Sequence, residues 1–117
     1  MRVIVCGSRD WADYKTIEEE IQKLPKNSVI GCRGADGIAH EIASKNGFQT
    51  QVYYAEWNKY GKSAGPKRNL VMLNSGADLV LAFHLQDRDI ESSKGTKHMV
   101  KIAKDKNVPV RIFKNKI

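Results

Sequence analysis

Apolar residues along this 117-residue chain alternate between short continuous runs and helically spaced positions. Val3-Ile4-Val5-Cys6 is a mostly β-branched run that stops at Gly7, the pattern of a strand buried on both faces. Over residues 11–24, Tyr14, Ile17, Ile21 and Leu24 recur every three or four positions, which predicts an amphipathic helix ended by Pro25. A second strand is expected at 28–31, and Ile38, Ala39, Ile42 and Ala43 give one apolar face to a helix over 36–46 that Gly47 stops. Residues 48–54 read as a third strand, whereas 55–65 show no period and read as a long loop. Pro66 suits the first turn of a helix running to Asn74.

The run DLVLAF at 78–83 is the most apolar in the chain and predicts a central buried strand. Residues 84–94 read as a second polar loop. A last helix opens at Gly95 or Thr96 with Met99, Ile102 and Ala103 inward, and 108–113 form a final strand with Pro109 near its start. The order βαβαβαβαβ predicts an α/β fold: a single three-layer domain over residues 1–117, with about five mainly parallel strands flanked by helices and joined by right-handed crossovers.

Composition narrows the class. A hydrophobic content of 41% suffices for one compact core. No apolar stretch approaches the roughly 20 residues that span a bilayer. The N-terminus opens on a strand pattern, not on a charged segment followed by an apolar signal core. The expectation is a soluble, cytoplasmic protein with no membrane partner. Cys6 and Cys32 are too few and too far apart for a disulfide framework or a zinc site, so no metal is expected and both read as buried reduced thiols. A catalytic thiol would need a partner among His40, His84 and His98, and the sequence places none of them beside a cysteine.

Twenty Lys and Arg against thirteen Asp and Glu give a formal charge of +7 and a pI of about 9.5, favouring an anionic partner. The C-terminal third supplies many of the lysines at helical spacing, which is also the signature of a solvated face.

In a doubly wound sheet the loops after successive strands emerge along one edge, where ligands bind. Gly7 lets the backbone turn and approach closely, Ser8 brings a hydroxyl, and Arg9 brings a planar cationic fork; Asp10 reads as a helix cap. In GCRGADG, at 31–37, Arg33 and Gly34 lie in a glycine-rich turn that bares N–H groups at a helix start. Asp36 either caps that helix or accepts hydrogen bonds from a ribose or base. Lys67 and Arg68, followed by Asn69, lie in the first turn of a helix, where cations oppose the dipole and a bound anion would relieve the conflict. Trp57 and Tyr60 either stack on a base or pin the loop to the core. Ser93, Gly95 and Thr96 place hydroxyls and a glycine at another helix start.

Taken in order, CGSRDW, GCRGADGIA, AEWNKYGKSAGPKRN and SSKGTKH resemble the SLOG superfamily, in particular its small YspA-like proteins, over nearly the whole chain. The resemblance implies a Rossmann-like sheet that binds a nucleotide or nucleotide-derived ligand, in a family of inferred sensors and nucleotide-metabolising enzymes from bacterial or phage settings. Homo-oligomers are common in that superfamily.

The related LOG phosphoribohydrolases carry a PGGxGTxxE signature. Here Gly95-Thr96 is kept, but Met99 stands where their glutamate would be, and methionine can neither activate water nor stabilise an oxocarbenium ion. Relatives commonly show Gly-Gly-Ala where this chain has Ile30-Gly31-Cys32, and the bulkier Cys32 is expected to narrow the pocket.

The leading expectation is a ligand-binding module, with Gly7, Ser8, Arg9, Gly34, Arg68, Ser93, Gly95 and Thr96 on phosphate and Asp36, Trp57 and Asn69 on sugar or base. One alternative is a nucleotide hydrolase using Asp10, Asp36 or His98, although His98 is expected on the exposed side of the last helix. Another is DNA or RNA binding, as in the DprA-type relatives. An aromatic content of 8% is modest for a strand-binding channel.

Overall fold

A computed structural model describes residues 1–7, 14–33, 38–54, 56–85 and 90–115. Among the described residues five strands and five helices follow one another: β1 (Arg2–Gly7), α1 (Tyr14–Gln22), β2 (Val29–Arg33), α2 (Ile38–Lys45), β3 (Gln49–Tyr53), α3 (Trp57–Tyr60), a 3-10 turn (Gly61–Ser63), α4 (Ala64–Asn74), β4 (Leu79–Leu85), α5 (Ile90–Asp105) and β5 (Val110–Asn115). The strands form one sheet in the order β3-β2-β1-β4-β5, and every pairing is parallel. The parallel α/β sheet flanked by helices is thus what the patterning predicts, and its Rossmann-like arrangement is what the resemblance implies.

Strand alternation builds two cores. Val3, Val5, Ile30, Cys32, Leu79, Leu81 and Phe83 face one layer with Ile17 and Ile21 of α1 and Ala43 of α2. Ile4, Cys6, Val80 and Ala82 face the other, with Met72 and Leu73 of α4 and Met99 and Ala103 of α5. Because β1 and β4 serve both layers, neither has a solvated face, which is why their sequences are continuous apolar runs. Right-handed crossovers account for the layering. The chain steps outward from β1 to β2 and β3 with α1 and α2 on one face, then returns past β1 to β4 and β5 with α4 and α5 on the other.

Cys6 and Cys32 lie in different layers, both buried, and carry thiols, not a disulfide. Cys32 packs in the core under α1 and α2, so it fills that core instead of narrowing a ligand pocket.

Several predicted boundaries move. Residues 55–65 are not one long loop: α3, the 3-10 turn and the first two residues of α4 occupy most of them. Their short helical pieces lack the apolar repeat by which a longer helix shows itself. Pro66 is the third residue of α4, still within the first turn, where its missing N–H removes no intrahelical bond. β4 extends through His84 and Leu85, and α5 opens at Ile90 instead of Gly95 or Thr96. Its first turns are polar and carry a glycine, a combination that local propensity disfavours and that packing of the apolar C-terminal half overrides.

Tyr14 is 51% exposed and does not join the inward face of α1. The last strand starts at Val110, after Pro109, which has no N–H to give a ladder.

Candidate functional site

In a parallel sheet flanked by helices, the helix N-termini sit beside the strands' C-terminal ends. Neighbouring crossovers diverge between β1 and β4, which makes a crevice at that edge the place for a ligand. Gly7 closes β1 at this edge, opposite Phe83 of β4, and Arg33 closes β2 opposite Tyr53 of β3. Ser8, Arg9, Asp10, Gly34 and Asp36 lie outside the described residues. Trp57 is the first residue of α3. Ser93, Gly95 and Thr96 are in the first two turns of α5, beyond its first residues, so they are not the helix start that the sequence suggests.

α4 supplies the described chemistry. Lys67 and Arg68 are its fourth and fifth residues, two positions further in than a helix opening at Pro66 would place them, because the helix begins at Ala64. Ser63 precedes it without a side-chain cap, and its first turn holds no acidic residue to offset the positive dipole end. The two cations diverge. Lys67 is exposed, with its ammonium 4.7 Å from the centroid of the Tyr60 ring, and Lys59 approaches the same ring at 5.2 Å. Lys59 is held above its ordinary pKa by its hydrogen bond to Tyr60 and by the Tyr60 and Glu56 charges. Tyr60 is an exposed ring fringed by ammonium groups; it does not pin the segment to the core.

Arg68 turns inward and is only 8% exposed. Its Nε and a terminal nitrogen approach Oδ1 of Asn69 at 3.4 and 3.3 Å. Asn69 is itself 1% exposed, and its Nδ2 lies 3.1 Å from Nδ1 of His98 on α5. The arginine can only donate, so Oδ1 must be the acceptor and the amide orientation follows. Nδ2 then donates to His98 Nδ1, which leaves the histidine neutral with its proton on Nε2.

Burial pushes the His98 pKa below its ordinary value, and the Lys101 charge adds to the effect. His98 is half-buried against α4 and not on the exposed side of the last helix, because α4 and α5 pack side by side over the sheet. Asn69 and His98 are 29 positions apart, so no local spacing could have announced their contact.

Met99, at the place of the LOG glutamate, is completely buried among Ile4, Cys6, Met72, Val80 and Ala103. It is a core residue. Among the described residues no cluster of His, Cys, Asp or Glu could hold a metal ion, and no helix is long and apolar enough to cross a membrane.

With this geometry stands the comparison with known proteins. The model of the family described as YspA, cpYpsA-related SLOG matches residues 1–60. The chain belongs to that family. The Gene 61 protein of Mycobacterium phage D29 is similar along the whole length, 36% identical over 127 aligned positions that cover 98% of each chain. The family match covers β1, β2 and β3, and with them Gly7 and the glycine-rich sequence that follows β2. The similarity to the phage protein extends through α4 and α5 as well.

Proposed function

We propose that this protein binds a small phosphorylated ligand, a nucleotide or nucleotide-derived molecule, at the C-terminal edge of its sheet and serves as a ligand-binding or sensing module. The observation that carries this reading is Arg68: a buried guanidinium near the N-terminal end of α4, in contact with Asn69 Oδ1, on a helix that starts at the sheet edge where such folds take their ligands. An anionic ligand at this helix end would be favoured by both the arginine and the dipole.

In this arrangement Gly7, Ser8, Arg9, Arg33, Gly34 and Arg68 face the phosphate, and Lys67 adds positive charge from the exposed side of α4. Asp36, Trp57 and Asn69 take the sugar or base, and Ser93, Gly95 and Thr96 join from α5. The core position of Met99 supports binding without LOG-type hydrolysis, since no carboxylate stands at that point of α5.

The test is calorimetric titration of the protein with a panel of nucleoside mono- and diphosphates and ADP-ribose, repeated with Arg68→Ala after circular dichroism has shown the variant folded. The variant is expected to lose about 1.5–3 kcal/mol of binding free energy, the scale of a hydrogen bond to a charged group. A folded variant that binds the panel as tightly as the parent defeats the assignment.

A further inference from the structure

The two outer strands of the sheet are protected unequally. β5 is entered through Pro109 and carries Arg111 and Lys114, the kinds of residue that keep a strand edge from pairing with another chain. β3 has neither device. Residues 48–54, FQTQVYY, hold no charge and no proline, and the run is rich in β-branched and aromatic side chains that suit a strand. Among the described residues β3 pairs with β2 alone.

The alternation of backbone groups shows which of them face outward. The N–H of Val29 reaches the Met1 carbonyl, so Val29, Gly31 and Arg33 turn their backbone groups to β1, whereas Ile30 and Cys32 turn theirs to β3. Ile30 is in register with Thr50 and Cys32 with Val52, so Gln49, Gln51 and Tyr53 are the residues of β3 that answer them. The N–H and C=O groups of Thr50 and Val52 therefore point away from β2, and the N–H of Tyr54 continues the row. The Tyr54 side chain at its end is 72% exposed.

We propose that a second copy of this chain pairs at this edge, β3 antiparallel to β3 about a two-fold axis at Val52, so that one sheet runs through both protomers. In this register Val52 meets its counterpart, and Tyr54 of each copy lies beside Thr50 of the other, which covers the exposed ring. On the α4 face, Arg2 donates to Gln51 Oε1 and to the Tyr53 hydroxyl, so these edge side chains are held in place before a partner arrives.

The helix layer fits the same pairing. α2 lies over β2 and β3 alike. With strands about 4.8 Å apart, its axis stands roughly half a spacing inside β3, and joining the edges brings the two α2 axes to about 10 Å, the separation of packed helices. Glu41, Ile42 and Lys45 line a cleft shared with Tyr14, Lys15 and Glu18 of α1. His40 and Ser44 fall on the other flank of α2, toward the edge, so the helix charges face away from the join. A chain of net charge +7 repels its own copy over most approaches, and a strand edge and helix flank without formal charge favour this one. Antiparallel pairing directs the C-terminal edges of the two sheets oppositely, so the pairing stands whether or not a phosphorylated ligand binds there.

Sedimentation equilibrium of the intact protein over about 1–200 μM suits an interface at the small end of the stable class. The mass should rise from the 13.2 kDa of one chain toward twice that value. Amide hydrogen exchange, read in nitrogen-15 spectra, tests the register. The amides of Thr50, Val52 and Tyr54 should exchange about tenfold more slowly at the top of that range than at the bottom, while those of Gln51 and Tyr53, bonded within the sheet, stay protected throughout. Tyr54→Lys should weaken association about tenfold or more without lowering the Tm of the dilute protein. Val52→Pro removes an N–H that β2 does not use and should abolish the dimer, whereas Ile112→Lys on β5 should leave it intact. A chain that keeps the single-chain mass at every concentration overturns the proposal. So does a dimer that Tyr54→Lys leaves unchanged, or one whose formation protects amides of β5 and none of β3.

Discussion

Arg68 and Lys67 are adjacent basic residues with opposite fates: one enters the protein and the other fringes an exposed tyrosine. Helical geometry turns successive residues by about 100°, so neighbours in sequence cannot share a direction. Arg68→Ala is therefore expected to weaken nucleotide binding far more than Lys67→Ala, whose ammonium is in water, and parallel calorimetric titrations give the comparison. His98 contributes to stability in a pH-dependent way. Its folded pKa is below the ordinary 6.5, so under acid the unfolded chain binds its proton more readily than the native protein does. The contribution of neutral His98 is complete above pH 6.5 and declines as pH falls from there toward the folded pKa. Urea midpoints should fall over that window in the parent, and the portion due to this residue should disappear in His98→Asn.

At the scale of elements, two helices end by the same device and only one of them is obvious. After α2, the N–H of Gly47 reaches the Ser44 carbonyl and that of Phe48 the Ala43 carbonyl, with Gly47 at φ +83°. After α5, Asn107 repeats the pattern at φ +60°, its N–H on Lys104 and that of Val108 on Ala103. Both are left-handed C-terminal caps, which favour glycine and, after it, asparagine. Asn107→Val should cost roughly 1–2 kcal/mol by forcing a β-branched residue into that region, while Asn107→Gly should be close to neutral. Thermal melts of the two variants decide it. A loss of equal size in both would mean that the asparagine side chain, not the backbone conformation, matters at this turn. The two caps also return the chain into β3 and β5, so they set where each edge strand begins.

At the scale of the molecule, the two cores are halves of one structure. Each shares the backbone of β1 and β4, and Phe83, fully buried beneath α1 and α2, stacks on Phe113 of β5 with centroids 4.9 Å apart. Arg2 ties further parts together from the opposite edge of the sheet, donating to the Gly76 carbonyl, to Gln51 Oε1 and to the Tyr53 hydroxyl. Lys106 at the end of α5 donates to Asn74 at the end of α4. Phe83→Ala should cost about 3–5 kcal/mol, the range for an aromatic truncated in a core. It should also shift the unfolding of both layers together: far-UV circular dichroism and intrinsic fluorescence should give coincident urea transitions in parent and variant. Separate transitions would show that the layers unfold independently.

What the sequence determined by itself was the architecture. A strand buried on both faces must be apolar at every position and a helix on a sheet must be apolar every three or four, so β1, β4 and the inward faces of α1, α2 and α5 were legible from residue order alone. Gly47 could be read as a stop because the left-handed conformation is a property of one residue. The short helical pieces at 57–63 and the polar opening of α5 were not legible, since neither repeats an apolar face long enough to register. Arg68 and Asn69 could be singled out as residues of interest, but not their partner. Only the tertiary structure decided that α4 lies against α5 and that a buried amide joins Arg68 to His98, because a contact across 29 residues depends on how two crossovers pack on one sheet face.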